Sequence, residues 1–181
     1  MREEFERLYE TYHHKLFNYI FYMVRSREVA EELVQEVYIK VLNSYENYEG
    51  RSSEKTWLYS VAKHVGIDWI RKQSRQKRKW EGQEFEWSER EFEVYDLAPL
   101  PEEILVQKDE MQQVYKSLAK CTEDQQQVIL LRYIESLSIT ETAEVLSWTE
   151  SKVKTTQHRA LKALKKYAED SDIEHEKEVS Q

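Results

Sequence analysis

The chain has 181 residues, of which 35 are acidic, 27 basic and 40% hydrophobic, and its formal charge is −8. Only three glycines and two prolines are present, which excludes a phosphate-cradling glycine loop and points to an all-α protein with short connections. One cysteine, Cys121, excludes a disulfide framework and a Cys-rich zinc site, and it fits a reducing compartment.

Met1 is followed by REEFERLYE, which lacks the basic stub and apolar core of a signal peptide. The longest apolar-rich run, 16–24, falls short of the about 20 residues of a membrane span, so a cytoplasmic protein is expected. Residues 3–24 read as a first helix, with Phe5, Leu8, Tyr12, Leu16, Tyr19 or Ile20, and Met23 recurring at three and four. His13 and His14 are neighbours and so point apart; no third ligand is spaced to join them, and no metal site is read there. Ser26 is placed to cap a second helix running to about Asn43, with Val29, Leu33, Val37 and Val41 inward. Glu32, Gln35 and Glu36 fall on its outer side. A loop over 43–53 carries Tyr45, Tyr48 and Gly50, and Ser52 or Ser53 opens a long third helix.

The chain is organised around that third helix and its basic continuation, 56–80. Leu58, Val61, Ala62, Val65 and Trp69 form one apolar stripe, while His64, Asp68, Arg71 and Arg75 share a second face. From Lys63 to Trp80 there are seven Lys or Arg against one acid, a locally basic helix in an acidic chain, which suits a phosphate-facing surface. Trp57, Trp69 and Trp80 beside those bases point towards melted or single-stranded nucleic acid, where bases stack on rings.

Residues 81–110 carry eleven acids and two bases, and Pro99 and Pro101 break any helix at their end, so 81–101 reads as an acidic linker. A second domain opens at Glu102, with Ile104, Met111, Val114 and Leu118 on one helix. Thr122 with Gln125, and Ser138 with Glu141, are two capping-box signatures. The first opens a helix carrying Val128, Ile129 and Leu131 or Arg132; the second opens a short one with Ala143 and Leu146 inward. After Ser147-Trp148-Thr149 comes a basic helix with Val153, Ala160, Leu161 and Leu164 towards the core, and 147–168 carries six bases against one acid. Short helix, tight turn and longer basic helix is the helix-turn-helix arrangement, although the turn lacks the usual glycine. Ser151, Lys152, Thr155, His158, Arg159 and Lys162 project away from the core stripe, as hydroxyls and bases that suit base edges and phosphates. The tail 169–181, with six acids and one base, is expected to be disordered.

Four stretches, in this order and at this separation, carry a family likeness: LVQEVYIKVLNSY (33–45), YEGRSSEKTWLYSVAKHVGIDWIRK (48–72), DQQQVILLRYIESLSITETAEVL (124–146) and SKVKTTQHRALKALKK (151–166). With them the chain resembles, over about 3–168, the extracytoplasmic-function class of sigma-70 RNA polymerase sigma factors, and within it the sigma-X type of bacilli. The resemblance implies a sigma-2 domain at 1–80, which binds core polymerase and opens the −10 element, and a sigma-4 domain at 102–168, which reads duplex −35 DNA. Glu32, Leu33, Gln35 and Glu36 match the motif that binds the clamp helices of the β′ subunit, with Glu32 in place of the usual Asp. The loop 48–53, including Tyr48, Arg51 and Ser52, matches the segment that takes up a flipped base of the melted non-template strand. Trp57, His64, Asp68, Trp69, Arg71, Lys72 and Arg75 follow on the −10 helix. His64 stands where many members have Asn, and an imidazole cannot copy the paired donor and acceptor of an amide. Ser151, Lys152, Lys154, Thr155, Thr156, His158, Arg159 and Lys162 are implied for −35 contact, with Thr156 where Arg is common and Ser151 where Gly is. Further implied are docking of the second domain on the β flap, threading of the linker through the polymerase cleft, and regulation by a membrane-anchored anti-sigma factor. No catalytic residue, cofactor, metal or small-molecule substrate is implied. The rival readings are a stand-alone helix-turn-helix regulator with 1–80 as sensor or dimerisation domain, and a helical nuclease or hydrolase built on His13, His14 and nearby Glu residues.

Overall fold

A computed structural model describes residues 2–45, 48, 50, 52–80 and 109–179, and these are helix, turn and bend with no strand among them. The all-α expectation is borne out. The chain divides into two compact units, residues 1–90 with 140–148 and residues 91–139 with 149–181. The linker 81–101 and Ile104 lie outside the described residues.

In the first unit α1 (Arg2–Val24), α2 (Arg27–Ser44) and α3 (Glu54–Trp80) pack pairwise. The α1–α2 connection is as short as a helical hairpin allows. Arg25 takes a left-handed backbone (φ 57°) that ends α1, and the Ser26 hydroxyl accepts the Val29 amide at 3.4 Å to cap α2. The buried faces are Leu8, Leu16, Tyr19, Ile20, Phe21 and Met23 on α1 and Ala30, Leu33, Val34, Val37, Tyr38 and Val41 on α2. On α3, Leu58, Tyr59, Ala62, Val65 and Ile67 are buried, while Val61 and Trp69 are only half-buried, so the inward stripe is turned slightly from the expected one. Gly66 lies inside it. A β carbon there would sit 2.1 Å from Met23 Cε, so the absence of a side chain lets α3 lie against α1.

In the second unit α4 (Asp109–Ala119) and α5 (Glu123–Ile129) pack on α7 (Glu150–Val179). Thr122 forms the expected capping box with Gln125: its hydroxyl accepts the Gln125 amide at 3.3 Å, and the Thr122 amide donates to Gln125 Oε1 at 3.1 Å. Beyond Ile129 the α-helix widens into a π-helical turn, Leu130–Ile134, closed by the Glu135 amide donating to the Leu130 carbonyl at 2.9 Å. Leu130 and Leu131 are both fully buried. The short helix α6 (Ile139–Leu146) buries Ala143, Val145 and Leu146, and all but its first residue falls with the first unit in this division.

Two core expectations need correction. Val114 is 40% exposed and Tyr115 takes the buried place beside Leu118, because the inward stripe of α4 passes through 115 and 118. Leu161 is 41% exposed; from Val153 the helical period reaches Ala160, and its neighbour points about 100° away. The backbone of α7 runs as helix to Val179, with no glycine or proline between Glu150 and Val179 to stop it.

Gly66→Val puts branched bulk against Met23 and is expected to cost about 1–3 kcal/mol in urea unfolding. Gly66→Ala should stay within about 1 kcal/mol of the parent, because the flexible tip of Met23 can swing aside and alanine favours helix.

Candidate nucleic-acid interface

One side of α3 is core, and the other presents His64, Asp68, Arg71, Lys72 and Arg75, all exposed. Burial of the first side fixes the azimuth of the second, so the structure brings these five residues onto one solvent-facing strip. The side chains of residues 77–80 lie outside the described residues, as does Arg51. His64 is held in a defined way. Its Nδ1 is 2.6 Å from the Ser60 carbonyl, and because a carbonyl only accepts, Nδ1 carries the proton. Arg75 Nε donates to the Arg71 carbonyl at 3.3 Å, keeping that guanidinium close to the helix surface.

At the start of α3 an aromatic cradle forms. Tyr48 lies 4.9 Å from Trp57 and 6.2 Å from Tyr45 between ring centroids, with all three rings half-buried. The Tyr48 hydroxyl donates to the Ser52 carbonyl. Tyr45 donates to Glu54 Oε1 at 3.1 Å, and Arg7 of α1 donates to both oxygens of Glu54 at 2.7 Å. Sequence reasoning assigned no role to Arg7, Tyr45 or Glu54. Only the tyrosine spacing, 45 and 48 ahead of Trp57, signalled the cluster. Arg7 and then Tyr45 hold the Glu54 carboxyl below its ordinary value, and desolvation opposes them in part.

On α2, Glu32, Gln35 and Glu36 are exposed, as expected for a docking strip. Leu33 is not: at 6% exposure it belongs to the core, and its service is to seat the helix. The exposed apolar residues of that helix are Ile39 at 58% and Leu42 at 44%; Ile39 stands four residues after Gln35 and three after Glu36.

In α7, Ser151, Lys152, Lys154, Thr155, His158, Arg159 and Lys162 are exposed and Thr156 is half-buried. The Thr149 hydroxyl accepts the Lys152 amide at 3.2 Å, capping the helix where its exposed hydroxyls and bases begin. Lys152 pairs with Asp124 at 3.5 Å and Lys154 with Glu150 at 3.7 Å, both on the surface and readily exchanged for phosphate. The turn before α7 manages without glycine because Ser147 takes the left-handed conformation itself (φ 57°), while the Trp148 amide donates to Ala143 at 2.8 Å.

Arg132, read from the sequence only as a possible core position, proves to be a tie. Its Nε donates to Gln157 Oε1 on α7 at 2.9 Å, and its Nη1 donates to the Leu137 carbonyl. The π-helical turn aims it there. Cys121 is buried, and desolvation pushes its thiol up to about 11, so it is a packing residue rather than a nucleophile. His13 stacks on Tyr9 with ring centroids 4.4 Å apart and is half-buried, while His14 is exposed, so the two do not converge. Among the described residues, no group of three or more His, Cys, Asp or Glu is placed to hold a metal ion, and no helix is long and apolar enough to cross a membrane.

Comparison with known proteins gives two family matches: Sigma-70 region 2 over residues 8–76 and Sigma-70, region 4 over residues 111–164. The chain is 52% identical over 169 residues to the ECF RNA polymerase sigma factor SigX of Bacillus subtilis, covering 93% of this chain and 86% of that one. It is 35% identical to the RNA polymerase sigma factor YlaC of the same species, over 91% of this chain and 92% of that one. Among solved structures, the sigma factor RpoE bound to the anti-sigma factor NepR from Bartonella quintana has the same fold, with a TM-score of 0.71 at 20% identity over 92% of this chain and 98% of that one. CnrH in complex with the cytosolic domain of CnrY follows at 0.70 and 16% identity, over 94% of this chain and 90% of that one.

Two outcomes follow from the geometry. Glu54 has a lowered native pKa, so its contribution to stability is complete above the ordinary carboxylate range and is lost as pH falls through the native value. Glu54→Gln should therefore flatten the acid limb of a stability-versus-pH curve measured by urea unfolding. Arg132→Ala leaves Gln157 and the Leu137 carbonyl without their shared donor and is expected to cost about 1.5–3 kcal/mol in thermal or urea unfolding. Arg132→Lys should recover less than half of that, since an ammonium cannot present a fork to both acceptors.

Proposed function

Because the chain belongs to the extracytoplasmic-function class of RNA polymerase sigma factors in the sigma-70 family, we propose that three exposed helical faces divide its work. The protein is an alternative sigma factor directing promoter-specific transcription initiation. In this reading 1–80 is the sigma-2 domain, 102–168 the sigma-4 domain, and 81–101 the linker that threads the polymerase cleft. The α2 strip of Glu32, Gln35 and Glu36, extended by exposed Ile39, docks on the clamp helices of the β′ subunit. The α3 strip engages the −10 element, with His64 and Asp68 towards bases and Arg71, Lys72 and Arg75 towards phosphates. The cradle of Tyr45, Tyr48 and Trp57, with Arg51 and Ser52 of the loop, takes up an unpaired base of the non-template strand by stacking. The exposed residues of α7, from Ser151 to Lys162, read the −35 duplex, and the second domain docks on the β flap.

The observation that carries this reading is the exposed basic strip of α3, backed by a fully buried face, in a chain whose net charge is −8. An acidic free protein binds random DNA poorly, so its two weak DNA contacts become strong only when polymerase tethers them together. The chain catalyses no reaction of its own. A membrane-anchored anti-sigma factor is its proposed regulator, and the solved RpoE of the same fold is bound to an anti-sigma factor, NepR. A stand-alone regulator would leave the region 2 match and the basic strip without employment.

Reconstituted transcription tests the assignment. Purified chain added to sigma-free bacterial core polymerase and fragmented genomic DNA should yield discrete starts sharing sequence near −10 and −35. Arg71→Ala with Arg75→Ala should abolish open-complex formation while core binding, measured by co-migration, is retained. Loss of core binding in that variant would show that the face has been misassigned. His13→Ala with His14→Ala should transcribe like the parent.

A further inference from the structure

We infer that Arg7, on a helix given no DNA contact above, is a positioning residue for promoter opening: through Glu54 it fixes the ring of Tyr45 where an unpaired base is taken up. This rests on the reading of the Tyr45, Tyr48 and Trp57 cradle as the site of that base. One carboxylate joins three helices there. Arg7 stands in the second turn of α1, Tyr45 directly follows α2, and Glu54 opens α3. Nη2 of Arg7 donates to both oxygens of Glu54 at 2.7 Å, and the Tyr45 hydroxyl donates to Oε1 at 3.1 Å. Glu54 is itself seated by the start of its helix, where the Ser53 hydroxyl accepts the Thr56 amide at 3.1 Å and the Ser53 carbonyl accepts the Trp57 amide at 3.0 Å.

A ring that stacks on a base needs a defined direction as well as a place. Tyr45 lies 6.2 Å from Tyr48 with 27° between the planes, and 6.0 Å from Trp57 with 59°. The hydroxyl sits on the long axis of the ring, so a bond there fixes where that axis points and leaves the neighbouring rings to set the tilt about it. The ion pair adds little to folding, since its side chains are 54% and 29% exposed. Its second effect is electrostatic. Glu54 without Arg7 would hold an uncompensated negative charge beside the path of a phosphate strand, and the guanidinium cancels it.

The test is the rate of open-complex formation by core polymerase with the full chain on a duplex promoter, repeated with single abasic sites scanned along the non-template strand of the −10 element. Tyr48→Ala is the reference. It should be slow on the intact promoter and insensitive to the abasic site at one position, which marks the captured base. Arg7→Ala should open the intact promoter about tenfold more slowly than the parent and lose sensitivity at that position alone. Tyr45→Phe, which keeps the ring and removes the tether, should behave in the same way, and the two changes together should be no slower than either alone. Arg7→Lys, which keeps a cation on Glu54, should recover most of the rate. Each variant should bind core polymerase like the parent, measured by co-migration. Parental opening by Arg7→Ala, slow opening with the parent's abasic sensitivity intact, or loss of core binding overturns the inference. Tyr48→Ala opening like the parent, with the parent's response to every abasic site, overturns the cradle reading beneath it.

Discussion

Gly66 lets α3 lie close against the flexible tip of Met23 on α1, and burial of this face of the helix governs which way the rest of it points. A helix has one circumference to share between core and ligand. With Leu58, Tyr59, Ala62 and Val65 committed inward by α1 and α2, the charged strip from His64 to Arg75 has one direction left. The same bundle supports the cradle at the start of α3: Arg7 reaches from α1 to Glu54, Glu54 holds Tyr45, and the ring of Tyr45 lies beside Tyr48 and Trp57. A change in how α1 and α3 meet would therefore disturb the aromatic cradle and the charged strip together.

The second unit solves a similar problem with a polar device. Val153 and Ala160 seat α7 on the core, but a small apolar stripe defines rotation about the helix axis only loosely. Arg132 adds a directional constraint, since a planar guanidinium bonded to Gln157 and to the Leu137 carbonyl fixes both the roll of α7 and the path of the chain leading to α6. Packing supplies the affinity of helix for core, and the arginine supplies its register.

Much of this was legible in the residues. Apolar spacing located the helices, and the Ser26 and Thr122 caps marked starts that the structure reproduces, because each depends on side chains within three residues of one another. The exposed strip of α3 was legible for the same reason. What escaped depended on contacts distant in sequence or on departures from 3.6-residue periodicity. Arg132 and Gln157 are 25 residues apart, and Arg7 and Glu54 are 47 apart. Leu33, placed in the docking motif by the resemblance, also lies on the inward stripe read from spacing, and the structure keeps it buried there. The turn lacks its usual glycine, yet Ser147 takes the left-handed conformation there at a small cost that the hydrogen bonds of the turn offset.

The π-helical turn also bears on how this chain tolerates changes in length. Residues 130–134 accommodate one residue more than an α-helical path between the same ends, which is why adjacent leucines are both buried and the period could not decide between Leu131 and Arg132. In such a turn a single-residue deletion can relax the widened backbone to ordinary α-helix and keep everything upstream in place, whereas a deletion in α5 would rotate its whole inward face by about 100°. Relatives one residue shorter at this point are thus compatible with the same core. They would lose the angle at which Arg132 reaches α7, and with it the means of setting that helix's roll.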